Sequence, residues 1–315
     1  MTEEMEKNEV TESPVTTDGD IDTSAPARTL WGDAWSRLRR NKLAIFGAVW
    51  IVLMILVALT ADLWVPQTLG SPTEADSTTM TQDSRLPPSP EHPFGTDTLG
   101  RDVLCRVIYG ARISLAVGVL ATAISTIIGL VMGALAAYYG GIWDTIIMRL
   151  SEALMAVPRI MVSMALIAIL GNSMMDLAVI LSFSTIPMYI RMTRAMALGI
   201  KNTDYVKAAQ IQGGGSMYIM FRHVLPNSIS PIIILMMQNV GMTILMESGL
   251  SFLGIGITIP IPSWGTMVEA GRMYLIGCPV LAIAPGACVA LLVISLNLLG
   301  DGIRDALDPR LRGEV

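Results

Sequence analysis

Apolar residues in this chain form long, nearly uncharged blocks, and polar residues collect in the gaps between them. The first block, residues 43–61, is long enough as a helix to cross a hydrocarbon core of ~30 Å at ~1.5 Å per residue. The second, residues 113–143, carries no charge; Gly129 and Gly133 share one face of it and permit close helix packing. A third span begins near Thr145, carries Arg149, Glu152 and Arg159 in its inner half, and is expected to kink at Pro158. Arg149 and Glu152 are spaced to pair along that helix, whereas Arg159 is left to pair with Glu152 or to meet lipid headgroups. Gly171, Asn172 and Ser173 make an outer turn, and a fourth span runs from Asp176 to Arg191 and Arg194. The fifth occupies residues 229–250 and the sixth residues 280–299. The pattern predicts an all-α integral membrane protein with six transmembrane helices.

Between the fourth and fifth blocks lies the longest non-membrane stretch after residue 113, residues 202–231. Asn202 or Thr203 is placed to cap a helix whose dipole suits Asp204, and glycines 213–215 would end it. Ser216 is placed to cap a second short helix, closed by Pro226. Two short helices with a glycine corner make a rigid knob, which suits docking better than catalysis.

Composition agrees with the block pattern. Of 315 residues, 52% are hydrophobic and only 15% charged, and the mean hydropathy is +0.58. The net charge of −5 comes largely from the first 22 residues, which hold eight acids and one Lys. Residues 1–27 are too polar to bury a core and are expected to be a disordered cytoplasmic tail. Residues 28–42 contain five basic residues and one acid, which places the N-terminus in the cytoplasm. The same rule puts Arg191, Arg194, Lys201, Lys207 and Arg222 inside, although Arg101, Arg106, Arg112 and Arg272 fall outside. The resulting division is a tail (1–27), a basic flank with the first span (28–61), an outer loop with an interfacial helix (62–110), a core of five spans containing the knob at 195–227 (111–300), and an inner tail (301–315).

In the outer loop Val103, Val107 and Ile108 suit an apolar surface, with Arg101, Asp102 and Arg106 turned to water. Cys105, Cys278 and Cys288 are expected to be buried small hydrophobes; a Cys105–Cys278 bridge is the alternative. Pro260 and Pro262 to Gly265 predict an outer hairpin or short re-entrant segment, with Trp264 as interfacial anchor or, less favoured, substrate contact. Asn239 and Glu247 are polar groups within the fifth span. They form either a polar wall of a translocation pathway or helix–helix hydrogen bonds that fix packing. No phosphate-cradling G-x-x-x-x-G-K-[ST], no Ser/His/Asp set and no His-Glu-x-x-His occurs. The chain is therefore expected to have no catalytic residue, cofactor or metal of its own, and no nucleic-acid partner.

Several stretches carry a resemblance. Lys207-Ala208-Ala209, Gly213 and residues 222–227 (RHVLPN) resemble the EAA loop of bacterial ABC importer permeases, with Lys207 where that family usually has Glu. Residues 92–102 (HPFGTDTLGRD) and 106–115 (RVIYGARISL) resemble the HPLGTD…GRDVLSRLIYGARISL signature of dipeptide, oligopeptide and nickel permeases. Residues 247–254 (ESGLSFLG), 262–265 (PSWG), and 297–302 (NLLGDG) with 304–309 (RDALDP) are similar to further stretches of that family. The resemblance covers residues 28–312 and is to the C-type subunit.

It implies a permease fold in a bacterial or archaeal plasma membrane, with both termini cytoplasmic. The implied partners are lipid, a second homologous permease subunit, two ATP-binding subunits and an extracytoplasmic binding protein. In the family the loop docks on the ATPase, which nominates Tyr205, Lys207, Ala208, Ala209, Gly213, Gly214, Arg222, His223 and Pro226 for coupling. Peptide import is the expected function and nickel import its rival. An ATP-independent secondary transporter would need inverted repeats, of which the sequence gives no convincing sign. A purely structural membrane scaffold is the third reading.

Overall fold

The computed structural model describes residues 30–64, 84–257 and 261–307. The expected disordered tail, residues 65–83 of the outer loop, and the tail beyond residue 307 lie outside the described residues. Among the described residues, the elements are α1 (Leu30–Leu38), α2 (Lys42–Leu59), α3 (Ala61–Trp64), α4 (Val103–Tyr139), α5 (Gly141–Met155), α6 (Arg159–Leu170), α7 (Met174–Lys201), α8 (Asp204–Ile211), α9 (Ser216–Ile219), α10 (Leu225–Phe252), α11 (Trp264–Arg272) and α12 (Val280–Leu307). No strand occurs among the described residues; one isolated antiparallel bridge joins Thr96 and Asp102.

Five of these helices are long and apolar enough to cross a membrane, and α5 with α6 forms a sixth span if the broken pair counts as one. α2 is apolar all round and leaves Leu43, Phe46, Val49, Val52, Leu56 and Leu59 exposed, as a helix facing lipid should. Its other side packs on α12, where Gly47 lies against the Ser295 carbonyl and Ala44 against Gly302.

The tightest pairing joins α4 and α7. A Cβ at Gly133 would stand 2.6 Å from the Ile190 carbonyl, and one at Gly129 would collide with Tyr189. Two missing side chains therefore let the backbones touch, which replaces a hydrophobic driving force that lipid does not supply. Ser125, fully buried on α4, adds a 2.5 Å hydrogen bond with Thr185 of α7. A second core, around Trp264, Ile244, Leu115, Val289 and Leu292, joins α4, α10, α11 and α12.

Several expectations need correcting. The interfacial helix and the second span are one helix, since α4 starts at Val103, where Asp102 caps it by accepting the Cys105 amide at 2.7 Å. The break at Pro158 is no kink but a 92° bend separating α5 from α6. Thr203 holds the expected cap position of α8, but its hydroxyl donates to the Ile200 carbonyl instead of accepting from the helix; Gly215, not Ser216, holds the cap position of α9.

Pro226 does not close the second short helix. It sits in the first turn of α10, which continues from α9 through a π turn at Met220–Val224. The wider turn passes the Leu225 amide back to the Met220 carbonyl, giving room for a ring that has no N–H to donate. α12 likewise runs on to Leu307, so residues 301–307 belong to the last helix. Cys105 is buried as expected, but Cys278 and Cys288 are only partly so, and all three thiols are free.

Candidate functional sites

Three groups of residues qualify: the knob between α7 and α10, a polar cluster inside the helix bundle, and an ion-pair network at the start of α4, the end away from the knob. The knob is built from α8, α9 and the π turn. Val206, Ile219 and Val224 are buried against Ala137 of α4 and Ala197 of α7, which anchors it to the two most closely packed helices. Lys201 donates to the Tyr138 carbonyl at 2.5 Å and closes the same junction.

The outward side is apolar. Tyr205, Met217, Tyr218 and Phe221 are exposed, and Ile211 is 87% exposed. The His223 ring lies 5.7 Å from Tyr218 and 6.4 Å from Tyr205, so the nominated Tyr205 and His223 form one aromatic cluster with Tyr218, which sequence reasoning missed. Arg222 and Pro226 are exposed beside it. Ala208 is exposed and Ala209 half-buried, where its carbonyl accepts the Gly214 amide at 3.0 Å. Lys207 pairs weakly with Asp204 at 3.7 Å, both in solvent, so its charge stabilises little within the chain. Gly213 turns the corner at φ +83°, a conformation costly for any side chain.

Glu247 is completely buried. Its Oε1 accepts from Ser251 at 2.9 Å and its Oε2 from Ser114 of α4 at 3.5 Å. Asn239 lies two turns away, also buried, and donates to the Leu235 carbonyl of its own helix at 3.0 Å. The two residues occupy one helix without touching each other's partners. Glu247→Ala leaves the Ser114 and Ser251 hydroxyls without their acceptor in a buried site, at roughly 1–3 kcal/mol each. Glu247→Gln retains an acceptor oxygen. The expected outcome is a lower melting temperature for the alanine variant in detergent, largely restored by glutamine.

Trp264 is neither an anchor nor a substrate contact. It is wholly buried, donates its indole N–H to the Val107 carbonyl at 2.9 Å, and gives its backbone amide to Ser114 Oγ at 3.3 Å. Ser114 thus joins the Trp264 amide to the Glu247 carboxylate, so α4, α10 and α11 meet at one serine.

Sequence reasoning turned Arg101, Asp102 and Arg106 to water, but all three are buried. Asp97 binds the Arg101 side chain at 2.8 Å and approaches Arg106 Nε at 3.5 Å, and Asp102 binds His92 at 2.9 Å. Charges spaced for an amphipathic face satisfy one another through a loop that folds back, which helical spacing alone does not reveal. Nearby, hydrogen bonds from Tyr109 and Arg112 hold the Asp62 carboxyl below its usual range.

Residues 107–313 match the family described as "Binding-protein-dependent transport system inner membrane component". This chain belongs to that family. Residues 29–88 also match the "N-terminal TM domain of oligopeptide transport permease C". The permease is similar to proteins named glutathione transport system permease protein GsiD. The one from Escherichia coli O6:K15:H31 is 38% identical over 286 residues, covering 91% of this chain and 92% of that protein. The one from Pectobacterium atrosepticum is 37% identical over 287 residues, covering 90% and 93%. The chain is thus an ABC importer permease, a multi-pass protein of a bacterial inner-membrane family, and a transport component rather than an enzyme. Within this permease the knob lies between α7 and α10, where the loop resemblance placed it.

Proposed function

We propose that this permease forms half of the translocation pathway of an ATP-driven importer of short peptides, with glutathione as the leading substrate. The observation that carries the substrate class is the likeness, over nine-tenths of both chains, to permeases named for glutathione transport. The match to an oligopeptide permease domain at the N-terminal end supports the same class. A second homologous permease supplies the other half, two separate subunits hydrolyse ATP, and an extracytoplasmic protein delivers the substrate. Both termini and the knob face the cytoplasm.

The mechanism is alternating access. ATP binding draws the ATPase subunits together, and their motion enters through the aromatic cluster of Tyr205, Tyr218 and His223. The anchoring of Val206, Ile219 and Val224 against α4 and α7 supports this route, because a rigid junction passes displacement into the helices rather than absorbing it. The unbroken run from α9 through the π turn into α10 gives a second lever reaching Asn239 and Glu247.

The deciding experiment isolates the binding protein that works with this permease and identifies its ligand by calorimetry. Micromolar binding of glutathione or of di- and tripeptides is expected. Retention of nickel or a nickel chelate with no peptide binding overturns the substrate reading.

A further inference from the structure

Within the ion-pair network at the start of α4, one carboxylate serves two guanidinium groups. Asp97 Oδ1 accepts the Leu99 and Arg101 amides at 2.8 and 2.9 Å. Asp97 Oδ2 accepts Arg101 Nε and Nη2, each at 2.8 Å, and Arg106 Nε lies 3.5 Å from the same oxygen. The lone pairs of that carboxylate are then filled, and Arg106 holds the loosest share of them. Because both side chains reach one oxygen, two cations stand side by side, only 7% and 5% exposed.

Like charges brought together out of water are costly unless counter-charges lie beside them. Asp97 supplies one. Asp102 is turned elsewhere: its Oδ2 binds His92 at 2.9 Å, and its Oδ1 accepts the Cys105 amide at 2.7 Å. Glu269 of α11 pairs with Arg272 at 3.4 Å. Neither of these acids lines the space that the two arginines face.

That space is a cavity. Asp97, Arg101 and Arg106 line it together with the apolar side chains of Val103, Met267 and Leu281, so residues 97–101 meet α4, α11 and α12 there. The centre of a water-sized sphere has about 30 Å³ of the cavity to move in, above the roughly 10–15 Å³ that one water needs. Among the described residues on its wall, the charged ones are Arg101, Arg106 and Asp97. A water molecule would fit but leave the positive charge standing, whereas a single negative charge cancels it. The space suits an ion of the size of chloride or formate rather than sulfate, and one charge rather than two.

We propose that this cavity binds one small monovalent anion, of the chloride or formate class, held by Arg101 and Arg106. Bound there, the anion fastens residues 97–101 to α11 and α12 at the end of the bundle away from the knob. The proposal is independent of what the importer carries.

The test uses the complete importer purified in detergent. It follows thermal melting as chloride replaces gluconate, an anion too large for the cavity, at constant ionic strength. An ion that binds only the folded protein stabilises it by mass action, so the melting temperature should rise by about 2–4 °C and then saturate. Formate should act as chloride does. Arg106→Gln removes the excess charge and should abolish the rise. Ala270, exposed at the edge of the cavity, allows a variant that keeps both arginines. Ala270→Glu supplies a carboxylate from the chain itself and should make melting indifferent to chloride. Ala270→Gln, of the same size, should still respond.

An unaltered importer that melts alike in chloride and gluconate overturns the site. A rise that continues without saturating is a general salt effect and overturns it too. So does a full rise in Arg106→Gln. If that variant does not assemble, the Ala270 pair decides, and an equal response of Ala270→Glu and Ala270→Gln to chloride overturns the site.

Discussion

Trp264→Ala should be the most destabilising single substitution in this permease, by about 3–5 kcal/mol, as for other buried large-to-small changes. The indole sits wholly buried where α4, α10, α11 and α12 meet. Gly110 of α4 is open for it; a Cβ there would stand 3.1 Å from the indole ring. Truncation therefore empties a site whose walls are held by four helices and relax little. It also strips the Val107 carbonyl of its 2.9 Å hydrogen bond. Trp264→Phe separates the two contributions: it restores most of the volume and loses only the N–H, at roughly 1–3 kcal/mol. Thermal melting of the purified complex in detergent checks the order, which should be unaltered, then Phe, then Ala. A Trp264→Ala protein that melts with the unaltered one would mean that this helix junction does not hold the bundle together.

Gly213→Val should uncouple transport from ATP hydrolysis while leaving the complex assembled. At φ +83° a β-branched residue carries backbone strain of roughly 1–3 kcal/mol. A Cβ at this position meets nothing within 4 Å, so the strain is relieved by turning the corner itself rather than by disturbing α4 or α7. The knob then tilts, and Tyr205 on α8 separates from Tyr218 and His223 beyond the corner. Uptake should fall by about tenfold or more, since each 1.4 kcal/mol of lost docking is a factor of ten, with basal ATP hydrolysis persisting. Gly215→Ala is the control, because Gly215 has an ordinary φ of −66° and open space at its Cβ. Normal uptake by Gly213→Val would argue against the coupling role of the corner.

The two variants divide the molecule into a part that must be filled and a part that must bend. That division was only partly legible in the sequence. Trp264 stands beside prolines and polar residues, which reads as an interface. Only the return of α11 onto α4 and α12 brings it inside. Gly213 was legible, because glycine directly after a helix can take the left-handed backbone that ends it, which other residues take only at a cost. Tyr205 and His223 were legible singly, but Tyr218 was not, and the meeting of the three rings depends on how α8, α9 and the π turn fold together.

Chain order and hydropathy determined by themselves that this is a helical membrane protein, where its apolar blocks lie, and which loop stands out between them. Lipid imposes this directly: a backbone in hydrocarbon must satisfy its own hydrogen bonds, so block length translates into helices with little help from tertiary contacts. Tertiary structure decided which polar groups face one another. Arg101, Asp102 and Arg106 turned inward through a folded-back loop, Glu247 was enclosed by serines from two helices, and Arg159 was separated from Glu152 by a 92° bend. Such pairings depend on distances between residues far apart in the chain, and a buried charge is stable only where those distances supply its partner.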